Sequence, residues 1–254
     1  MRRALPLLAL AVAVSCAPPA VQPDAGPQGP VCTEPTAPPC VDELVAALQL
    51  QAGEPSQGGI ENQAEGDGFL SIVDATAGGL TADPRQSFLY ARFSDDGLEP
   101  VRINDVDALS SMDWDIAFHR YIVRLNGGSS GPSCVAATRV DGAYDDVKQA
   151  PASGYATDSQ FDDACAFRAD SEAGDPANER DFGNALREYY LYDGCLKMTG
   201  DVYAARLKDG RALKLTFTHY YAPDAQAACD ETGETTHQGA ATLRIRWAFL
   251  GVSQ

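Results

Sequence analysis

Beyond residue 69 the chain alternates apolar and polar positions with a period of two, the pattern of half-buried strands. Residues 69–73 and 87–93 are short examples. From 114 to 125, Trp114, Ile116, Phe118 and Ile122 fall on one face, and Ala117, His119, Tyr121, Val123 and Leu125 on the other. Both faces are largely apolar, so the pattern predicts one central strand, ended by a Gly- and Ser-rich loop over 126–132 that needs positive φ. The runs 202–207 and 212–221 flank Lys208-Asp209-Gly210-Arg211, and Asp-Gly between two alternating runs predicts a tight hairpin. Its second strand aligns Leu213, Leu215, Phe217, His219 and Tyr221, which points His219 with the apolar side chains. A last strand over 241–250 sets Leu243, Ile245, Trp247 and Phe249 on one face, with Arg244 and Arg246 among those on the other. Residues 143–187 lack sustained alternation and read as long loops pinned by Cys165. The fold class is therefore all-β, a mostly antiparallel β-sheet domain with long loops.

The first 68 residues read differently. Arg2 and Arg3 precede an apolar run over 4–14 that is too short to span a bilayer, which predicts a signal peptide over 1–15. Ala13, Val14 and Ser15 lead directly into Cys16. That arrangement resembles the lipobox of bacterial lipoproteins, with Ala in place of the usual Leu three residues before the Cys. The resemblance implies that Cys16 is acylated and becomes the first mature residue, so the membrane is reached through lipid. Ala17-Pro18 after it carries no Asp, which by resemblance to Gram-negative lipoproteins implies sorting to the outer membrane. Residues 17–39 are dominated by Pro, Ala, Gly and Gln and read as a tether, 41–50 as a helical turn or two, and 51–68 as linker. The expected division is signal peptide 1–15, lipid-bearing Cys and Pro/Gly-rich linker 16–68, and β domain 69–254.

Charge and cysteine count narrow the function classes. With 19 Lys+Arg against 36 Asp+Glu the formal net charge is −17, which excludes nucleic acid as an expected partner because phosphates demand a basic surface. Setting Cys16 aside leaves Cys32, Cys40, Cys134, Cys165, Cys195 and Cys229, an even set suited to three disulfides in an oxidising compartment. Six cysteines allow fifteen connectivities; the sequence-local choice is Cys32–Cys40, Cys134–Cys165 and Cys195–Cys229. No C-x-x-C pair occurs, which removes the main support for zinc-ribbon and thioredoxin-like readings.

Enzyme signatures are missing as well: there is no G-x-S-x-G elbow, P-loop, H-E-x-x-H or dinucleotide fingerprint, so neither an enzyme nor a nucleotide cofactor is expected. The pairs Asp95-Asp96, Asp145-Asp146 and Asp162-Asp163 raise calcium, but none fits an EF-hand loop and solvated acidic loops are the expected reading. Of the three His, His119 sits mid-strand as a core or structural residue. His219 lies near a strand end beside Tyr220 and Tyr221, where a pocket mouth is plausible. His237 occupies a loop free to swing, and the thioether of Met198 is a soft axial ligand type.

Trp114-Asp115-Ile116-Ala117-Phe118-His119-Arg120 followed by Leu125-Asn126-Gly127-Gly128-Ser129-Ser130-Gly131 resembles the signature stretch of the HmuY-like lipoproteins. The hairpin over 202–221 is similar to that family's second recurrent block. The resemblance implies a β domain, lipid-anchored at the bacterial outer membrane, that captures haem for iron acquisition and passes it to a TonB-dependent receptor. It also implies two axial side chains, His or Met, on mobile loops. A bis-axial site needs two side chains facing each other across the porphyrin within an apolar cleft; His219 and His237 are the best pair here, with Met198 as fallback and a Cys195–Cys229 bridge holding the loop near the hairpin. The alternative is a non-catalytic structural or partner-binding envelope lipoprotein that does not bind haem. Intact mass of the mature chain is expected to show Cys16 as an acylated first residue; an unmodified Cys16 thiol contradicts the anchor.

Overall fold

The computed structural model describes residues 29–76, 86–166 and 183–251. Cys16 and the leader lie outside the described residues. Among the described residues twelve strands and three α-helices, of which α2 is Asp105–Ala108, follow one another, and the strands gather into two main antiparallel sheets and a two-stranded arm. The larger sheet contains β1 (Ile60–Glu65), β2 (Gly68–Asp74), β7 (Ala136–Val140), β10 (Val202–Arg206), β11 (Ala212–His219) and β12 (Thr242–Phe249), in the order β1-β2-β12-β11-β10-β7. The smaller contains β3 (Leu89–Ser94), β4 (Gly97–Val101), β5 (Ile116–His119) and β6 (Ile122–Leu125), in the order β4-β3-β5-β6. The arm pairs β8 (Tyr190–Tyr192) with β9 (Leu196–Met198).

The alternating pattern places the core as expected in the C-terminal half. Leu213, Leu215 and Phe217 of β11, and Leu243, Ile245 and Trp247 of β12, are buried. They form one cluster with Phe93 and Leu98 of the smaller sheet. Trp247 stacks on Phe69 at 5.0 Å and meets Phe93 edge-on at 4.9 Å, and its indole N–H donates to Ser71 Oγ at 2.8 Å. A second apolar cluster joins Leu44 and Leu50 to Phe88, Tyr90, Trp114 and Phe161.

Residues 114–125 are not one strand. The chain folds back between β5 and β6, which pair Ile116 with Leu125 and His119 with Ile122. Arg120 adopts φ 54° at the turn, and its N–H donates to Ala75 O at 2.7 Å. Two apolar faces mark a strand covered on both sides, but a hairpin whose arms are each covered produces the same string, and here the turn carries neither Gly nor Pro to reveal it.

The N-terminal segment also enters the fold well before Phe69. β1 pairs along its whole length with β2, and helix α1 (Val41–Leu48) buries Leu44 against the second cluster. This rewrites two of the three sequence-local disulfides. Cys32 bonds Cys134 and Cys40 bonds Cys165; only Cys195–Cys229 pairs as expected. The reason is the path of the chain. The N–H of Cys32 donates to Lys208 O and that of Thr36 to Pro132 O, both at 2.8 Å, so the segment lies across the β10–β11 turn and the 126–134 loop. Docking of α1 beside Phe161 then sets Cys40 next to Cys165. The long region after β7 holds a 3-10 turn over Tyr144–Asp146 and no strand among its described residues up to Leu186, and Cys165 pins it.

Trp247→Ala is expected to destabilise the protein by about 3–5 kcal/mol in urea unfolding, the cost of an emptied aromatic site in a core that cannot collapse around it. A loss below about 1 kcal/mol contradicts the packing described.

Candidate functional site

The stretch that carries the family signature builds a loop. Asn126 is buried, its Nδ2 donates to Ser111 O and Trp114 O, and its Oδ1 accepts the N–H of Ser133. Gly128 sits at φ +61°, where an added Cβ would lie 2.1 Å from Asp158 O, so the turn tolerates no other residue. Asp115 accepts the N–H of Phe93, and Asp158 accepts those of Leu125 and Ala185. Burial pushes both carboxyls up to about 6. Arg124, fully buried, donates to Ser130 O and to the Tyr90 hydroxyl, with its guanidinium over the Phe88 ring. These side chains spend their hydrogen bonds mainly on the backbone of the loop and of the strands beside it.

The ligand candidates gather elsewhere. The β8–β9 arm, the end of β11, helix α3 (Pro223–Thr232) and the loop after it meet at one corner. Cys195–Cys229 links the arm to α3, Leu196 N–H donates to the Tyr221 hydroxyl, and Ala222 N–H donates to Gln238 O. Met198 is half-buried on β9, with its N–H donating to Asp230 Oδ1 at 3.1 Å. His237 is exposed, 5.8 Å from the Tyr221 ring between centroids. Its loop is tied down by the Gln238 and Thr235 contacts and is not free to swing.

His219 does not point with Leu213, Leu215 and Phe217. A register shift between Phe217 and His219 sets His219 opposite Arg244 while Phe217 remains opposite Ile245, so the bulge turns the imidazole off the apolar face. Its Nδ1 lies 2.9 Å from Thr218 Oγ1, whose own proton is donated to Arg244 O at 3.2 Å. A Thr218 hydroxyl that gives its proton to Arg244 O accepts from Nδ1, and in that tautomer Nε2 carries the lone pair. Partial burial, aided by Arg244, lowers the pKa of His219 and keeps the ring neutral near pH 7.

Two other places lack the chemistry. Cys40, Glu43 and Cys165 cluster tightly, but both sulfurs are spent in a disulfide. A cavity of about 250 Å³ between β3–β4 and the β10–β11 turn is lined by charges already paired, Arg92 with Glu99 and Arg211 with Asp209. It falls below the roughly 300–1,000 Å³ of ordinary ligand pockets. His119 stays with the fold: its Nε2 is buried without a hydrogen-bond partner and its ring lies 5.1 Å from that of Phe88.

Helix α3, with Gln226 and Asp230, is what the strand pattern missed. The available signal was Pro223 at its first turn and Gly233 just past its end, at φ 77°, the usual asymmetry of helix termini.

A β protein with two antiparallel sheets, three disulfides and a corner of His, Met and Tyr side chains is the class this geometry defines. The family model described as HmuY protein matches residues 82–232, and the chain belongs to that family. No curated protein matches it. Among solved structures, a candidate HmuY-like heme-binding protein from Bacteroides vulgatus is 17% identical with a TM-score of 0.46, covering 74% of this chain and 96% of that one. A Bacteroides fragilis protein described as a candidate lipoprotein is 16% identical, TM-score 0.47, over 77% and 96%. The apo HmuY analog of Tannerella forsythia is 15% identical, TM-score 0.40, over 78% and 99%.

Burial lowers the pKa of His119 to about 4, with Arg120 contributing. A depressed folded-state pKa means stability present above the unfolded value of about 6.5 and lost as the pH falls toward 4. Asp115 and Asp158 act in the opposite sense over part of that window, so the comparison is with His119→Gln. Relative to that variant the wild type is expected to lose up to about 3 kcal/mol between pH 6.5 and 4 in denaturant titrations; parallel profiles contradict a buried neutral imidazole.

Proposed function

We propose that the protein is a lipid-anchored envelope carrier that binds haem through His219 with His237 or Met198 as the second ligand. The observation that carries this reading is the Thr218–His219 pair. Iron takes a neutral imidazole nitrogen, and a ligating His is ordinarily held by a hydrogen bond at its other nitrogen. The Arg244 carbonyl, Thr218 hydroxyl and His219 Nδ1 line up as such a chain, and with Nδ1 donating into it Nε2 offers its lone pair to iron. Two further donors of suitable type, an exposed imidazole and a half-buried thioether, belong to segments fastened to the same corner. Tyr190 and Tyr192 on the arm, the latter 46% exposed, supply aromatic surface for a flat macrocycle. Membership of the HmuY family supports the same function.

The chemistry is holding and release. Haem, once bound, would supply an iron that takes nitrogen or sulfur donors; His219 would give the first, and His237 or Met198 the second. Anchorage through Cys16 places the carrier at the outer membrane, where a TonB-dependent receptor is the proposed recipient. Among the described residues no helix is long and apolar enough to cross a membrane.

Titration of the full chain with hemin is expected to give a saturable Soret shift. His219→Ala weakens the affinity at least tenfold, about 1.4 kcal/mol, and His237→Ala or Met198→Ala weakens it according to which is the second ligand. No shift at stoichiometric protein rejects the reading and leaves a partner-binding envelope lipoprotein.

A further inference from the structure

Two of the elements that present candidate ligands, the end of β11 with His219 and strand β9 with Met198, share one buried side chain. Gln226, on α3, is 1% exposed, and its amide makes four hydrogen bonds. Oε1 accepts the N–H groups of Tyr220 at 2.8 Å and Tyr221 at 3.2 Å. Nε2 donates to Leu196 O at 3.0 Å and Asp230 Oδ1 at 2.9 Å. Two protons and two lone pairs are the whole capacity of a primary amide, so this one is saturated.

The partners matter more than their number. Tyr220 follows His219 directly, and Leu196 lies two residues before Met198 on the same strand. Asp230 accepts both Gln226 Nε2 and the Met198 N–H on a single oxygen, so the clamp reaches Met198 itself. Gln238, beside His237, receives the N–H of Ala222, the residue after Tyr221. The Cys195–Cys229 disulfide already holds the arm to α3. A single covalent link sets a separation and leaves rotation about itself. A planar amide bonded on both edges fixes the orientation that the link leaves open.

Resting on the haem-carrier reading, we propose that Gln226 is a positioning residue for the ligand site, holding the His219 strand end and the Met198 strand in the mutual orientation that iron ligation requires. It touches no haem. It acts through Tyr220, Leu196 and Asp230.

The test compares Gln226→Glu with Gln160→Glu in the full chain, using hemin as probe. Glu at 226 keeps both acceptors for the Tyr220 and Tyr221 N–H groups, loses both donors, and sets a second carboxylate against Asp230. Gln160 is also buried and also hydrogen-bonded through its amide, to Ser130 and Asn184 in the loop region, so its variant measures generic damage to a buried amide. Gln226→Glu is expected to weaken hemin affinity about tenfold or more and to split the Soret and visible bands into mixed ligation states, while Gln160→Glu leaves both unchanged. Adding Asp230→Asn to Gln226→Glu restores a donor between the two positions and is expected to recover part of the affinity. Equal losses from the 226 and 160 variants, or an unaltered spectrum in Gln226→Glu, overturn the proposal. Amide hydrogen exchange without hemin separates this result from failure of the carrier reading. Gln226→Ala is expected to remove protection at Tyr220, Tyr221 and Met198 together; retained protection overturns the positioning role whether or not the wild type binds hemin.

Discussion

The larger sheet closes on the smaller through Trp247, whose ring lies between Phe69 and Phe93. Its indole N–H begins a relay that crosses the same interface: Trp247 to Ser71 Oγ, Ser71 to Asn62 Oδ1, and Asn62 to both backbone groups of Leu98 on β4. Asn62 takes the place of a strand partner for β4, so β1, outwardly a charged edge, joins the sheets together. An unpaired indole N–H at the depth of Trp247 would cost about 1–3 kcal/mol, and Ser71 accepts it. The relay links β1, β2, β4 and β12, and it ties residues near 60 into a domain whose alternation only becomes plain near 69.

A core of this kind leaves much of the chain in loops, and the loops are secured by other means. The Cys32–Cys134 and Cys40–Cys165 bridges span 102 and 125 residues. In the chain-entropy model, loops of that length restrict the unfolded chain by roughly 4–5 kcal/mol each, so the long-range pairing stabilises more than the local alternatives would. Buried charge does the rest of the holding. Arg124, Asp158 and Asp115 are inside because each bonds a backbone group: Ser130 O, the N–H groups of Leu125 and Ala185, and the N–H of Phe93. The most distinctive sequence block is accordingly the scaffold of the domain, and the proposed chemistry sits at another corner.

The corner itself was half legible. His219, His237 and Met198 stand out by residue type, and the local Cys195–Cys229 spacing suggested that the loop returns to the hairpin, which it does. The direction of His219 was not legible. Strict alternation assigns it to the apolar face, but one extra residue at a bulge reverses every assignment beyond it, and the bulge arises from pairing with β12 about 25 residues away. Gln226 was silent because a glutamine in a short helix carries no pattern; its four partners come from β9, the end of β11 and its own helix.

What the residues determined without the fold is whatever depends on near neighbours. The strands β2, β3, β10, β11 and β12, the Asp209-Gly210 turn, the even cysteine set and the family signature are all of this kind, because side-chain alternation and turn propensity act over a few residues. What depends on distant segments meeting was decided only in three dimensions. The fold-back at Arg120, two of the three disulfides, the outward turn of His219 and the clamp at Gln226 each require a partner that the local string does not contain. Hydrogen bonds and covalent links between remote segments become specified when burial brings those segments together.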